Sequence, residues 1–171
     1  MEITLNMPEG VQISKEGDTL NVKGPKGIAR KVFRHPRVAL DVSDKIKIST
    51  SSKARKDKAV MGTWVAHMKN LLIGVENGYE YKMKIIFTHF PMIVKQENDI
   101  IIIANFMGEK GTRTARVVGD TEVKIEKEYI TLSGPAKEDV SQSAANVEQA
   151  CRKKKKDLRV FHDGIYIASK G

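Results

Sequence analysis

One cysteine, Cys151, stands in 171 residues, so no internal disulfide can form, and a chain without such staples fits a reducing cytosol. Aromatic residues make up only 6% of the chain, which argues against rows of base-stacking platforms that grip single strands. No apolar run approaches the ~20 residues needed to cross a bilayer. The opening residues, MEITLNMPEG, lack the basic and then apolar segments of a secretory signal. These absences predict a cytoplasmic protein with no membrane partner.

Chemistry-bearing motifs are missing as well. There is no Walker-type loop, dinucleotide glycine fingerprint or paired cysteine motif. His35, His67, His89 and His162 lie far apart in the chain, without metal-ligand spacing. His67 borders an apolar helix face and reads as a packed or surface residue. Cys151 falls on the apolar face of a second predicted helix and reads as core. His162-Asp163 has the composition of an acid–base pair, but nothing nearby nominates a nucleophile. The expectation is no cofactor, no metal and no enzymatic activity.

What is present is positive charge: 30 Lys+Arg against 21 Asp+Glu, a net +9. Such a balance favours an acidic partner, with nucleic acid or an anionic surface the main candidates. Lys23, Lys26, Arg30, Lys31, Arg34 and Arg37 form one run without an acidic residue. Lys53 to Lys58 is a shorter basic run around Asp57, and Arg152 to Arg159 contains Lys153, Lys154, Lys155 and Lys156 with Asp157 alone against them. On a continuous helix four successive lysines would spread over about 300°. They can act together only if the helix stops or phosphates surround it; otherwise they are a solvated helix end facing the negative dipole. The apolar residues of the tail that follows, Val160-Phe161 and Ile165-Tyr166, suggest lysines held in place.

The organising stretch is Lys53 to Ile86. Val60, Trp64, Met68, Leu71 and Val75, flanked by Met61, Val65 and Leu72, follow the period of one buried helix face. Ser51 or Ser52 is placed to cap its start and Gly74 to end it. After Asn77-Gly78 the period becomes two, with Tyr79, Tyr81, Met83, Ile85 and Phe87 alternating with charged residues, a half-buried strand.

On either side the same plan recurs. Short alternating strands (Ile3 to Met7, Val11-Ile13, Leu20-Val22, Ile28 to Val32, Val38 to Val42, Ile46-Ile48) precede the helix, with a turn at Gly24-Pro25-Lys26-Gly27. The second half runs through Pro91 to Val94, the apolar Ile100 to Ile103 suited to a buried strand, a matching Gly108-Glu109-Lys110-Gly111 turn, and Arg113 to Val117. Val123 and Ile125 pair with Ile130 and Leu132. Ser133-Gly134-Pro135 then starts a helix whose apolar face is Val140, Ala144, Val147 and Cys151. The reading is α+β: two tandem duplicated domains, 1–78 and 79–171, each an antiparallel sheet packed by one helix. One larger sheet with coincidental turns is the alternative. Trp64 and Phe87 read as core. The two glycine-flanked lysines could present backbone N–H groups to phosphates.

The residues Lys58-Ala59, Gly62-Thr63, Ala66 to Val75 and Gly78 to Ile85, with the Gly24–Gly27 turn, Gly134, Lys137, Val140, Gln142, Ala144-Ala145 and the ending Asp163-Gly164-Ile165-Tyr166, resemble ribosomal protein six of the large subunit, in its archaeal and eukaryotic branch. The likeness covers essentially the whole chain. It departs at Ser141, where many relatives have glycine, and in lacking the bacterial Lys-Gly-Lys-Gly tail. The resemblance implies a non-enzymatic ribosomal constituent whose second domain makes the main contacts with large-subunit rRNA, near the sarcin–ricin region and the stalk base. Other large-subunit proteins and translation factors would lie nearby. Carried over by position, the implied rRNA-binding residues are Lys110, Arg113, Arg116, Lys137, Lys153, Lys154, Lys155, Lys156 and Arg159. Charge alone would instead favour the first half, with 14 basic and 8 acidic residues against 16 and 13 in the second. Lys26, Arg30, Lys31 and Arg34 are therefore kept as a secondary phosphate-facing patch. The competing reading is a protein-interaction module at the stalk base with incidental charge, and a nucleic-acid enzyme would need a pocket of strongly shifted acid–base groups.

Overall fold

The structure, a computed structural model, describes every residue except 1, 9, 44, 154, 155 and 158. It divides into two compact units, Met1–Gly78 and Tyr79–Gly171. In the first, β1 (Glu2–Asn6), β6 (Lys45–Thr50) and β5 (Val38–Val42) make one antiparallel sheet in that order. The strands β2 (Gln12–Glu16), β3 (Thr19–Gly24) and β4 (Gly27–Val32) make a second. The helix α1 (Arg55–Glu76) packs on strands of both.

Alternation decides which strand residues go inward. Leu20 and Val22 on β3 and Ile46 and Ile48 on β6 have no exposed surface, each stabilising the unit by about 1.5–3 kcal/mol through burial. They meet Met61, Trp64, Met68, Leu71, Leu72 and Val75, the buried row of α1. Trp64 is core, packed edge to face on Phe33 with ring centroids 5.3 Å apart.

Neither end of α1 matches the simplest expectation. The helix begins at Arg55 with Ala54 as N-cap and no side-chain cap. Ser52 instead accepts the Ala54 N–H at 3.2 Å, and Asp57, buried in the first turn, faces the helix's positive end. A hydrogen bond from the Ser52 hydroxyl, helped by Arg37 and His35 and opposed by burial, holds the Asp57 carboxyl below its ordinary 3.8. At the other end Gly74 lies inside the helix, and Gly78, at φ +80°, is the glycine that ends it. Its N–H donates to the Gly74 carbonyl at 2.9 Å, because only glycine takes that left-handed angle without strain.

The second unit repeats the plan. The strands β8 (Ile93–Glu97), β9 (Ile100–Ala104) and β10 (Arg113–Arg116) form one sheet in chain order. A four-stranded sheet runs β11 (Glu122–Ile125), β12 (Tyr129–Gly134), β7 (Tyr79–Ile86), β13 (Gly164–Lys170). The helix α2 (Lys137–Ala150) packs on β7, β10, β12 and β13. Val140, Ala144, Val147 and Cys151 are buried against Met83, Ile101, Ile103, Ile130, Leu132 and Ile165. Burial pushes the Cys151 thiol up to about 11. Val123 pairs with Leu132 and Ile125 with Ile130, in the expected register.

The duplication is therefore α+β in each half, with the antiparallel strands of each unit divided between two sheets. Several local expectations are corrected. Phe87 is 45% exposed, because β7 ends at Ile86 and the alternation stops with it. Ile100 to Ile103 is buried on one face only: Ile101 and Ile103 have no exposed surface, Ile100 is 44% exposed. The strand expected at Pro91 starts at Ile93. Pro135 precedes the helix, because β12 runs through Gly134 and α2 begins at Lys137. Gly24 and Gly27 pair across a tight turn, but Gly108 to Gly111 sits in a wider connection that includes a helical turn, Phe106–Gly108.

Trp64→Ala should cost about 3–5 kcal/mol, as for a large buried side chain; an unchanged Tm with lost nucleic-acid binding would make Trp64 a contact residue instead. Asp57 stabilises the native state above its ordinary pKa, and that contribution is lost as pH falls through the lowered native value. Asp57→Asn should therefore lower Tm at neutral pH, with the gap closing in acid. Melting curves with a constant gap across pH would overturn this.

Candidate nucleic-acid interface

Of the second-unit cations named by the sequence, Lys137 lies on α2, Arg113 and Arg116 on β10, and Lys110, Lys153, Lys156 and Arg159 in connecting segments. Lys137 opens α2, while Lys153 and Lys156 follow its end. A helix of 14 residues puts about 21 Å between the two ends. The strand β10 runs beside it, its Arg116 carbonyl accepting from Asn146 Nδ2 at 2.8 Å. Because α2 stops at Ala150, Lys153 and Lys156 lie beyond the helix and are not forced around a cylinder. Lys154 and Lys155 lie outside the described residues.

Alternation along β10 sends its two arginines to opposite faces. Arg116 is exposed, whereas Arg113 turns inward beside Ala115 and Ile103. Its guanidinium sits 4.2 Å from the Phe106 ring centroid. Nε and one terminal nitrogen donate to Glu109 at 2.9 and 2.6 Å. The other terminal nitrogen donates to the carbonyls of Ala150 and Arg152 at 2.8 and 3.1 Å. Arg113 thus closes the carboxyl end of α2, where carbonyls lack partners within the helix. The hydrogen bond from Arg113 draws the Glu109 carboxyl down, and Glu109 in turn raises the guanidinium. This arginine, read from the sequence as a contact residue, has most of its donors engaged within the unit.

The lysines beyond the helix are positioned by the tail. Lys153 Nζ donates to the Phe161 carbonyl and, at 3.2 Å, to the Tyr166 hydroxyl. Lys156 Nζ stands 5.0 Å from the Phe161 ring centroid. At the far end Lys137 Nζ lies 5.5 Å from the ring centroid of Tyr79. Lys110, Arg116, Lys137, Lys156 and Arg159 are all exposed, and none forms an ion pair among the described residues.

A cleft of about 460 Å³ opens beside the closed helix end. Its lining includes His89, Phe90, Phe161, Lys153, Lys156 and Asp163 as well as the Arg113–Glu109 pair. Of these, the sequence nominated Arg113, Lys153 and Lys156 as contact residues and the others in different roles or not at all. Asp163, read as half of an acid–base pair, is 2% exposed. Its Oδ1 accepts the Thr88 N–H at 2.8 Å, tying the start of β13 to the end of β7. Burial pushes its carboxyl up, but the amides of Thr88, Asp163 itself and His89, with the His89 charge, outweigh this and hold it below the ordinary value. The apolar character of the tail was the available signal for Phe161; nothing in the spacing pointed to His89 or Phe90.

In the first unit the secondary patch is divided. Arg30 lies on the outer face of β4 and Lys31 on the opposite one, by alternation. Arg34 pairs loosely with Asp18 at 3.7 Å, both largely exposed, an interaction of little energetic weight. The backbone of the Gly24–Gly27 turn is not free for a phosphate. The Lys26 N–H donates to the Val75 carbonyl at 3.0 Å, and a Cβ on Gly24 would come within 2.6 Å of that same oxygen. In the corresponding second-unit loop, the Gly108 and Glu109 amides are likewise used internally.

Arg113→Lys keeps the charge but loses the planar fork. It should destabilise the chain by roughly 1.5–3 kcal/mol, the range for hydrogen bonds to charged groups. An unaltered Tm with weakened RNA binding would return Arg113 to the contact surface.

The family model described as Ribosomal protein L6 matches residues 7–78 and again 90–164. The chain is 44% identical over 168 residues to the "Large ribosomal subunit protein uL6" of Methanosarcina mazei, covering 98% of this chain and 96% of that protein. The protein of the same name from Methanocella arvoryzae is 45% identical, with 97% and 95% covered. That from Desulfurococcus amylolyticus is 44% identical, with 98% and 93% covered. With each repeat matched separately and near-complete coverage on both sides, the chain belongs to the Ribosomal protein L6 family.

Proposed function

We propose that this chain is a structural, non-enzymatic constituent of the large ribosomal subunit in the cytoplasm, and that its second unit holds folded large-subunit rRNA. The observation that carries the rRNA assignment is the division of labour among its cations. Arg113 is consumed in closing α2, while Lys110, Arg116, Lys137, Lys156 and Arg159 stay exposed and without ion pairs among the described residues. Exposed cationic side chains left unneutralised suit the phosphates of a folded RNA. Sparse aromatics favour recognition of backbone and shape over reading of single strands.

On this reading Lys153, Lys154 and Lys155 belong to the same surface, with Lys153 held in place by Phe161 and Tyr166. Of the cations of the first unit, Lys26, Arg30 and Arg34 are the lesser phosphate-facing group, with Lys31 turned to the opposite face of β4. The family resemblance supports a position near the sarcin–ricin region and the stalk base, where the chain would brace the translation-factor docking site. Exposed Ile93 and Ile100 are available to neighbouring large-subunit proteins.

The full chain should bind isolated large-subunit rRNA with an affinity that falls steeply with salt. Each phosphate contact removed reduces the log–log slope by about 0.7–0.9. The combined variant Lys110→Gln, Arg116→Gln, Lys156→Gln should therefore flatten the slope by about 2–3 with Tm unchanged. An unchanged slope in filter binding would remove these residues from the interface.

A further inference from the structure

Resting on the reading that this unit lies against rRNA, we propose that the cleft at the closed end of α2 receives one unpaired nucleotide, whose base carries an exocyclic amino group. Its volume, about 460 Å³, lies in the range of small-molecule sites. Three features of the lining converge on that guest.

The first is aromatic. His89 and Phe161 stand with ring centroids 6.5 Å apart at a 44° tilt, and Phe90, 46% exposed, completes the wall. Tyr79, Tyr81 and Phe106 are buried, whereas Phe87 and Tyr129 are also exposed; what distinguishes this cleft is that three rings, His89, Phe90 and Phe161, line one concave surface on which a base can stack. The second is charge. Lys153 is fixed to the Phe161 carbonyl and the Tyr166 hydroxyl, and Lys156 is exposed beside the Phe161 ring. The adjoining Arg113 is already neutralised by Glu109. A cationic rim repels a lysine or arginine side chain from a partner protein and attracts a phosphodiester.

The third feature selects the base. Asp163 Oδ1 accepts from Thr88, and the amides of Asp163 and His89 lie near enough to stabilise the carboxylate charge, but the buried Oδ2 makes no hydrogen bond among the described residues. A buried acceptor without a donor is costly, and an ionised carboxylate can only accept. What completes it is an N–H donor. Guanine, adenine and cytosine each offer an amino group; uracil instead flanks its single N–H with two carbonyls, which a carboxylate repels. The chain would then read shape and charge over most of its surface and base identity at one point.

The test is equilibrium titration of the full chain with GMP, UMP and inorganic phosphate. GMP should bind at least ~10-fold more tightly than UMP, the discrimination of one hydrogen bond to a charged acceptor, and phosphate should bind more weakly than either. Asp163→Asn keeps an oxygen for Thr88 but turns an amide NH₂ toward the cleft, so the preference should vanish or invert toward UMP. Phe161→Leu should weaken both nucleotides by one common factor. Asp163→Asn is read as a GMP-to-UMP ratio, which partial unfolding leaves unchanged, and Phe161→Leu as the two affinities themselves at unchanged Tm. Equal binding of GMP and UMP by the wild type, an unaltered preference in Asp163→Asn, or phosphate binding as tightly as GMP would overturn the proposal. If rRNA binding with its salt slope survives any of these results, only the nucleotide site has failed. If the wild type does not bind rRNA at all, the broader reading fails with it.

Discussion

The last carbonyls of a helix have no partners within it, and both units meet this constraint from the same place in their topology. The donor comes each time from where the chain enters the last strand of the three-stranded sheet β2–β3–β4 or β8–β9–β10: from the turn just before it in the first unit, and from its first residue in the second. In the first unit it is a backbone amide, Lys26 N–H to Val75, brought close because Gly24 has no Cβ to hold the turn away. In the second it is a side chain, Arg113, whose fork reaches Ala150 and Arg152 while Glu109 balances its charge. One solution is compact and leaves little behind it. The other requires a longer connection, with Phe106 buried beneath the guanidinium, and it leaves a cleft.

That difference bears on where positive charge is useful. The first unit has the larger net charge, yet its cations are divided between opposite faces of β4, and Arg34 has an acidic neighbour. The second has almost as many acidic as basic residues, but its cations are sorted. The internal ion pair absorbs Glu109, while Lys137 on α2 and Arg116 on the strand packed against it stay exposed. A long-range field follows net charge, but contact with phosphates depends on which side chains remain unpaired at a fixed surface. On the proposed function, presentation rather than net charge would put the main phosphate contacts in the second repeat.

How much of this was legible in the sequence follows from the range of the interactions involved. The strands, the buried rows of both helices and the duplication were readable because periodicity is local: Leu20 and Val22, or Val140, Ala144 and Val147, declare their inward face without reference to distant residues. The register of β11 with β12 followed from a short hairpin. Helix ends were less readable. Gly74 and Gly78 are both plausible terminators, and only the tertiary position of Val75, facing the Lys26 amide, extends α1 past the first. Phe87 looked inward only if the strand continued, and its end is fixed by Thr88 bonding to Asp163, 75 residues on.

The candidate site was legible as composition but not as geometry, and Arg113 shows why. Its position in the chain marks it as one of a group of cations, equivalent to Arg116. The three-residue spacing puts the two on opposite faces of β10, and the inward one meets the end of a helix that begins more than twenty residues later. Nothing local distinguishes an arginine that closes a helix from one that meets a phosphate; the distinction lies in whether carbonyls and a carboxylate wait for it. The same holds for Asp163, whose sequence neighbour His162 invited an acid–base reading. Its environment is instead set by Thr88 and a ring of aromatic and cationic residues drawn from three separate segments. A polar group's role is fixed by its unsatisfied partners, and those are assembled by the fold.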